Sequence, residues 1–207
     1  MLKRDSFNKI YLVTENVMKK SGFTLIELVA VIVILGVLAV VAAPRFLNLQ
    51  ESARVSVLEG VAGAMEGVIT QVNAKAAIAG LTPSNSNPTA GSGSNAQGDY
   101  VIDFGIGTVE VDWATLCPES VGESGGELTM LDFLTLGTTD DFTTAIGNRH
   151  TVVGFEHNFS DQDLGSNNIE VLPEGCYVIY DSFGGRSGGT CPAEGCECTV
   201  RIENTGC

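Results

Sequence analysis

The sequence predicts an α+β fold, a long N-terminal α-helix packed on a C-terminal antiparallel β-sheet, and three observations predict it. An apolar run from Phe23 to Ala43 holds a single ionisable side chain, Glu27. Past Pro44, apolar residues recur at three- and four-residue steps as far as Ala76, the period of an amphipathic helix. Beyond residue 98 the pattern changes to short β-rich runs separated by turn residues, and all six cysteines fall in that part.

The 21 residues from Phe23 to Ala43, as a helix rising about 1.5 Å per residue, span roughly 31 Å, one bilayer core. Lys3, Arg4, Lys9, Lys19 and Lys20 precede the run against only Asp5 and Glu15. Basic residues beside a spanning helix keep that side in the cytoplasm, so the chain beyond it points outward. A cleavable secretory signal has a shorter apolar centre and a small-residue cleavage site at once after it; here Pro44 follows the alanines and the helical pattern continues. Residues 1–22 read as a leader. Within it, residues 1–17 have neither a helical stripe nor a turn framework, whereas "MKKSG" from Met18 is a basic leader complete in itself, so a start at Met18 stands beside one at Met1, and the chain after Gly22 is the same with either.

Residues 44–80 form the amphipathic half. Phe46, Leu49, Ala53, Val57, Val61, Ala64, Val68, Val72 and Ala76 make the predicted stripe, and the helix, opening near Phe23, is expected to stop after Ala79 at Gly80. Pro44 removes one backbone hydrogen bond inside it, which predicts a kink or a loosened turn. Gly36, Gly60, Gly63 and Gly67 each weaken a helix by roughly 1 kcal/mol relative to alanine. The last three share a face with Ala64 and are expected to allow close packing against the sheet or a neighbouring subunit.

Residues 81–207 are read as a β-rich globular domain with a cysteine-rich tail. It opens on "LTPSNSNPTAGSGSNAQG", residues 81–98, too polar and turn-rich for a core and read as an exposed loop. The predicted strands lie in "DYVIDFG", "TVEVDW", "HTVVGFEH", "CYVIYDS" and "CTVRIEN", while "ELTMLDFLTLG" fits helix and strand equally. Cys117, Cys176, Cys191, Cys196, Cys198 and Cys207 permit fifteen pairings in an oxidising compartment, and three disulfides are expected. Cys196 and Cys198 flank only Glu197, so direct pairing is strained and each bonds elsewhere. Joining one of them to Cys207 or Cys191 would clip the tail, and joining Cys117 to Cys176 would tie two strand ends. A zinc site in "CPAEGCEC" lacks a nearby histidine.

The whole chain carries a formal charge of −14; the leader's five basic and two acidic side chains contribute +3, so the remainder sums to −17. So acidic a chain does not suit nucleic acid, which needs clustered Lys and Arg. The cations left, Arg45, Arg54, Lys75, Arg149, Arg186 and Arg201, are spread along the chain and read as surface or intersubunit pairs. Asp161, Asp163 and Glu170, with Asn167 and Asn168 around Gly165, supply the oxygens a calcium ion takes, although spacing and glycine position depart from an EF-hand and a polar turn explains them as well. "NFS" at Asn158 matches a glycosylation acceptor. His150 and His157 stand in one strand-like run without a nucleophile motif, a phosphate-cradling loop or a metal-ligand pair, so no enzyme activity and no cofactor are predicted.

"SGFTLIELVAVIVILG" resembles the N-terminus of type IV pilins, and "PRFLNLQESARVSVLEGVAGAMEGVITQVNAKAAIAG" resembles the mannose-sensitive haemagglutinin subgroup; the likeness covers residues 18–80. The resemblance implies the pilin fold, cleavage by a prepilin peptidase after Gly22, and N-methylation of the new terminus, Phe23. It also gives Glu27 a partner. An ionised carboxylate in a low-dielectric environment costs several kcal/mol unless paired, and the partner implied is the α-amino group of Phe23 on a neighbouring subunit, which would set the axial register of a filament.

Further implications are an inner-membrane precursor with a cytoplasmic N-terminus and a periplasmic C-terminus, then a homopolymeric extracellular pilus. Its partners would be other copies of itself, the membrane before assembly, the inner-membrane assembly machinery and minor pilins. The pilus would serve surface attachment, biofilm formation and, as a further use, motility. Such pilins have a cysteine-closed loop near the C-terminus, and the tail "CPAEGCECTVRIENTGC" departs from this in its number of cysteines. Two rivals are a major pseudopilin of type II secretion, which would have a shorter domain, a calcium-liganding loop and no cysteine-rich tail, and a membrane-anchored binding protein that never polymerises.

Overall fold

The computed structural model describes residues 22–84, 100–122, 125–136, 142–165, 167–186, 190–191 and 195–207. The leader before Gly22 and most of the polar loop at 81–98 lie outside these residues. The chain divides into two compact units, Met1–Phe46 and Leu47–Cys207.

One helix, α1 (Leu25–Ile78), runs through the unit boundary, and its backbone stays helical at Pro44. In the first unit the segment Leu25–Ala43 has a mean hydropathy of 3.1 and none of it is buried. It is long and apolar enough to cross a membrane. The end of α1 is as predicted to within a residue and has a chemical cause. Gly80 takes φ +80°, its N–H donates to the Ala77 carbonyl at 3.1 Å, and the Leu81 N–H donates to the Ala76 carbonyl at 3.0 Å. These two bonds make a Schellman motif, which satisfies carbonyls the helix itself leaves open. Lys75 in the last turn opposes the negative helix end.

The second unit carries the sheets. β1 (Val101–Asp103) and β2 (Thr108–Glu110) form a separate antiparallel hairpin. β3 (Thr143–Ile146), β4 (His150–Glu156), β5 (Cys176–Asp181) and β6 (Thr199–Glu203) form a four-stranded antiparallel sheet in that order. The five predicted strands are all present. β3 is an addition, a short Thr-Thr-Ala-Ile run without the alternation that marks the others. The ambiguous segment holds a single helical turn, α2 (Met130–Phe133), opened by Thr129 and Asp132 as a capping box.

β5 is buried along its whole length, and its side chains alternate between two cores. Cys176, Val178 and Tyr180 join Leu58, Met65, Val72 and Ala76 of α1 in the larger one. Tyr177 and Ile179 pack with Ala145, Val152 and Leu164 in the smaller one. The sheet is thus covered by α1 on one face and by the 159–172 loop on the other.

The buried stripe of α1 is Leu58, Ala62, Met65, Val68, Val72 and Ala76. The predicted stripe is right at its last three positions and one residue out of phase at Val57, Val61 and Ala64, while the side chain of Phe46 lies outside the described residues. Leu49 and Val57 remain 64 % and 43 % exposed. The cause is that α1 has two adjacent apolar strips here, and the bulkier Leu58 and Met65 turn inward because they remove more apolar area from water. The other strip, Val57, Gly60, Val61 and Ala64, lines a groove of about 250 Å³ with Leu134, Thr135, Leu136 and Phe142. Close packing of Gly60, Gly63 and Gly67 on the sheet is overturned: a Cβ built at any of them meets nothing within 4 Å.

Candidate functional site

At the start of α1, Gly22 is exposed and Phe23 is 94 % exposed. Thr24 and Glu27 then bond reciprocally. The Thr24 N–H and hydroxyl donate to Glu27 Oε2 at 2.8 and 2.7 Å, and the Glu27 N–H donates to Thr24 Oγ1 at 3.3 Å. This is the geometry of a capping box, which satisfies backbone donors that a helix start leaves open, and it places a negative charge at the positive helix end. "TLIE" carries the signal for it in the letters, a Thr with a Glu three positions on, although the apolar run draws attention away from it. Glu27 Oε1 takes no hydrogen bond among the described residues. From Phe23 to Val41 the large apolar side chains stand exposed, so the segment Leu25–Ala43 is an uncovered apolar helix with one charge, Glu27, in its first turn.

The second unit places its charges differently from the surface pairs expected. Arg149 and Arg186 are buried, because each found a carboxylate that sequence distance concealed. Arg149 Nε and Nη2 donate to the two oxygens of Asp181, each at 2.8 Å. Arg186 forks onto Asp112 through its two terminal nitrogens, Nη1 and Nη2, and lies over the rings of Trp113 and Phe183, 4.1 and 4.6 Å from their centroids. Arg149 Nη1 also donates to the Arg186 carbonyl at 2.7 Å, which joins the two pairs. Bidentate pairing and several added hydrogen bonds are what a buried ion pair needs to offset its desolvation. Arg54 and Lys75 lie nearer the surface, over the rings of Phe155 and Phe104, and Arg201 donates to the carbonyls of Ile169 and Glu170.

Burial alone would raise the carboxyl of Asp181, but the Arg149 hydrogen bonds and charge outweigh it and hold Asp181 below the ordinary range. His150 lies beside this pair, with Nε2 3.8 Å from Asp181 Oδ2. Burial, helped by the Arg149 charge and opposed by Asp181, lowers its pKa to about 4. His157 sits just past β4, half-buried near Phe159 and Tyr177.

All six cysteines are bonded, as Cys117–Cys198, Cys176–Cys207 and Cys191–Cys196. Cys196 and Cys198 do bond elsewhere, and a Cys191–Cys196 clip closes the tail. The Cys117–Cys176 tie is overturned. Cys117 sits in a loop bound to the far end of β5, where the Tyr180 hydroxyl donates to the Pro118 carbonyl and Thr115 Oγ1 to the Ser182 carbonyl, and β6 is what lies beside it. Cys176 is at the opposite end of β5, where the tail returns and the Gly206 N–H donates to the Gly175 carbonyl.

The acids of 161–170 do not converge. Asp163 accepts from the Ser160 N–H and hydroxyl, and Asp161 from the Ile146 N–H. Among the described residues no group of three His, Cys, Asp or Glu side chains is placed to hold a metal.

A family model described as the prokaryotic N-terminal methylation motif matches residues 17–43, the span that contains Gly22, Phe23 and Glu27. The type IV narrow pilus major component PilA5 of Thermus thermophilus is 40 % identical to the chain over 81 residues, which are 38 % of this chain and 69 % of that relative. No solved structure matches significantly. The exposed apolar helix, the motif at its start and the extent of the match to a pilus component lead to one conclusion: the chain belongs to the type IV pilin family and is a pilus subunit.

Proposed function

We propose that the chain is a pilin of the mannose-sensitive haemagglutinin type, polymerising through its N-terminal helix into an extracellular fibre for surface attachment and biofilm formation, with motility as a further use. A prepilin peptidase cuts after Gly22 and N-methylation follows on Phe23. The inner membrane holds Phe23–Ala43 until the assembly machinery, with minor pilins, adds the subunit to the fibre. Glu27 then pairs with the Phe23 amine of a neighbouring subunit and fixes its register. Pro44 loosens the helix between its filament-core half and the exported domain.

The observation that carries this reading is the apolar, unburied Leu25–Ala43 segment with a single carboxylate in its first turn. Such a surface is stable only when lipid or other copies of itself cover it. The test is to shear fibres from native cells and weigh the protein intact, before and after reduction. A chain beginning at methylated Phe23 that gains six hydrogens from its three disulfides supports the reading. The same processed chain confined to the envelope points to a pseudopilin instead, and an uncleaved membrane protein overturns both.

A further inference from the structure

We infer that Asn158 is an N-glycosylation acceptor, its side-chain amide taking a saccharide from a polyprenyl-pyrophosphate-linked donor. The inference rests on the export of residues 81–207 proposed above.

The tripeptide Asn158-Phe159-Ser160 has the acceptor asparagine, a central residue other than proline and the hydroxyl two positions on. A match of that length is common by chance, and the structure adds what the letters do not contain. Residues 157–160 follow the end of β4 and precede the 161–164 turn, so they belong to neither sheet. Side chains alternate along an extended segment. Here His157 and Phe159 are the half-buried ones, both beside Tyr177, whose ring lies 6.3 Å and 5.3 Å from theirs. Asn158 between them is exposed, and its amide makes no hydrogen bond among the described residues.

The flanking polar groups are reachable too. Ser160 is exposed, its hydroxyl donating to Asp163 Oδ2 at 2.6 Å, so rotation about one side-chain bond frees it for an enzyme. Glu156, two positions before the asparagine, is exposed and offers a charge to an enzyme that reads one there.

In the transfer, Asn158 Nδ2 forms a C–N bond to the anomeric carbon of the sugar. The bond from that carbon to the pyrophosphate oxygen breaks, polyprenyl pyrophosphate leaves with the electron pair, and one amide proton passes to base. No oxidant or reductant is required. The product places a solvated saccharide on the side of the domain where the smaller core meets water.

The experiment is peptide mass spectrometry of this protein from the native host, wild type beside Asn158→Gln, Ser160→Ala and Ser160→Thr, on sheared fibres and envelopes. The expected result is a saccharide mass on Asn158, lost wholly in Asn158→Gln and Ser160→Ala and kept in Ser160→Thr. Because Ser160→Ala also removes a bond to Asp163, Asn158→Gln is the deciding variant, with its disulfide count confirming the fold. A processed, fibre-borne chain with bare Asn158 overturns the inference and leaves the export reading standing, as does a mass excess that persists in Asn158→Gln. A chain still intact across Gly22–Phe23 and missing from the fibres overturns both.

Discussion

The carboxylate of Glu27 is bound to Thr24, the residue beside Phe23, so the one acid of the apolar helix also closes the start of that helix. The two jobs separate by substitution. Glutamine serves in a capping box but carries no charge to pair with an amine. Glu27→Gln and the reversal Glu27→Lys should insert into the membrane normally and lose nearly all sheared fibre. Thr24→Ala should cost the helix start about 1 kcal/mol and lower fibre yield only in part. Immunoblots of sheared and membrane fractions read both quantities, and normal fibres from Glu27→Gln would remove the register role.

The Arg149–Asp181 pair predicts a large single-site effect. Asp181→Asn leaves a buried guanidinium without its counter-charge, which costs about 3–5 kcal/mol. Exchanging both residues for apolar ones of similar volume should be milder than the single change. Denaturant titration of the disulfide-intact protein in detergent gives the comparison.

Acid should weaken the second unit in two steps. His150 binds its proton only near pH 4 when folded and near 6.5 when unfolded, so between those values the unfolded chain holds more protons and stability is lost as pH falls. The loss reaches up to about 3 kcal/mol, because each tenfold difference in proton affinity between the two states is worth about 1.4 kcal/mol. Asp181 is shifted down, so its contribution is present above the unfolded carboxyl range and is lost only as pH falls further. Melting temperatures from pH 7 to 4 should therefore drop in the wild type and flatten in His150→Gln; equal slopes would refute the assignment.

Where sequence letters sufficed and where they failed follows from the range of the interactions. The end of α1 is legible because Gly80 and the residues before it make every bond of the motif locally. The same holds for Thr24 and Glu27. The phase of the stripe was not legible between Val57 and Met65, where apolar residues on both strips leave the choice to the sheet packed against them. The ion pairs were not legible at all: Arg149 reaches 32 residues to Asp181 and Arg186 reaches 74 to Asp112. An arginine in such a sequence carries no mark of burial until the fold brings its carboxylate.

The three disulfides close loops of different length and should differ in worth. Sequence separations are 81 for Cys117–Cys198, 31 for Cys176–Cys207 and 5 for Cys191–Cys196. Loop-closure entropy alone assigns these about 4.5, 3.7 and 2 kcal/mol, each taken singly. Paired Cys→Ser variants should lose denaturant midpoint in that order, and the tail clip should be the mildest to remove. A larger loss from the Cys191–Cys196 variant would show that the clip holds contacts rather than only limiting the unfolded chain.

Gly60, Gly63 and Gly67 sit within a continuous helix, where glycine costs about 1 kcal/mol against alanine, and each leaves open space at the position of a Cβ. Among the described residues no contact at these positions compensates that cost. Alanine at any of the three should therefore raise the stability of the isolated subunit by up to about 1 kcal/mol. If neighbouring subunits bring their backbones onto this face, the same methyl groups stand in the contact, and fibre yield should fall while the subunit's melting temperature rises. Gly154 provides the contrast, since a Cβ there lies 2.4 Å from the Cys176 carbonyl oxygen, and its alanine variant should lose stability and fibres together. Stabilised subunits with undiminished fibres would show that the helical glycines face solvent in the pilus as they do in the monomer.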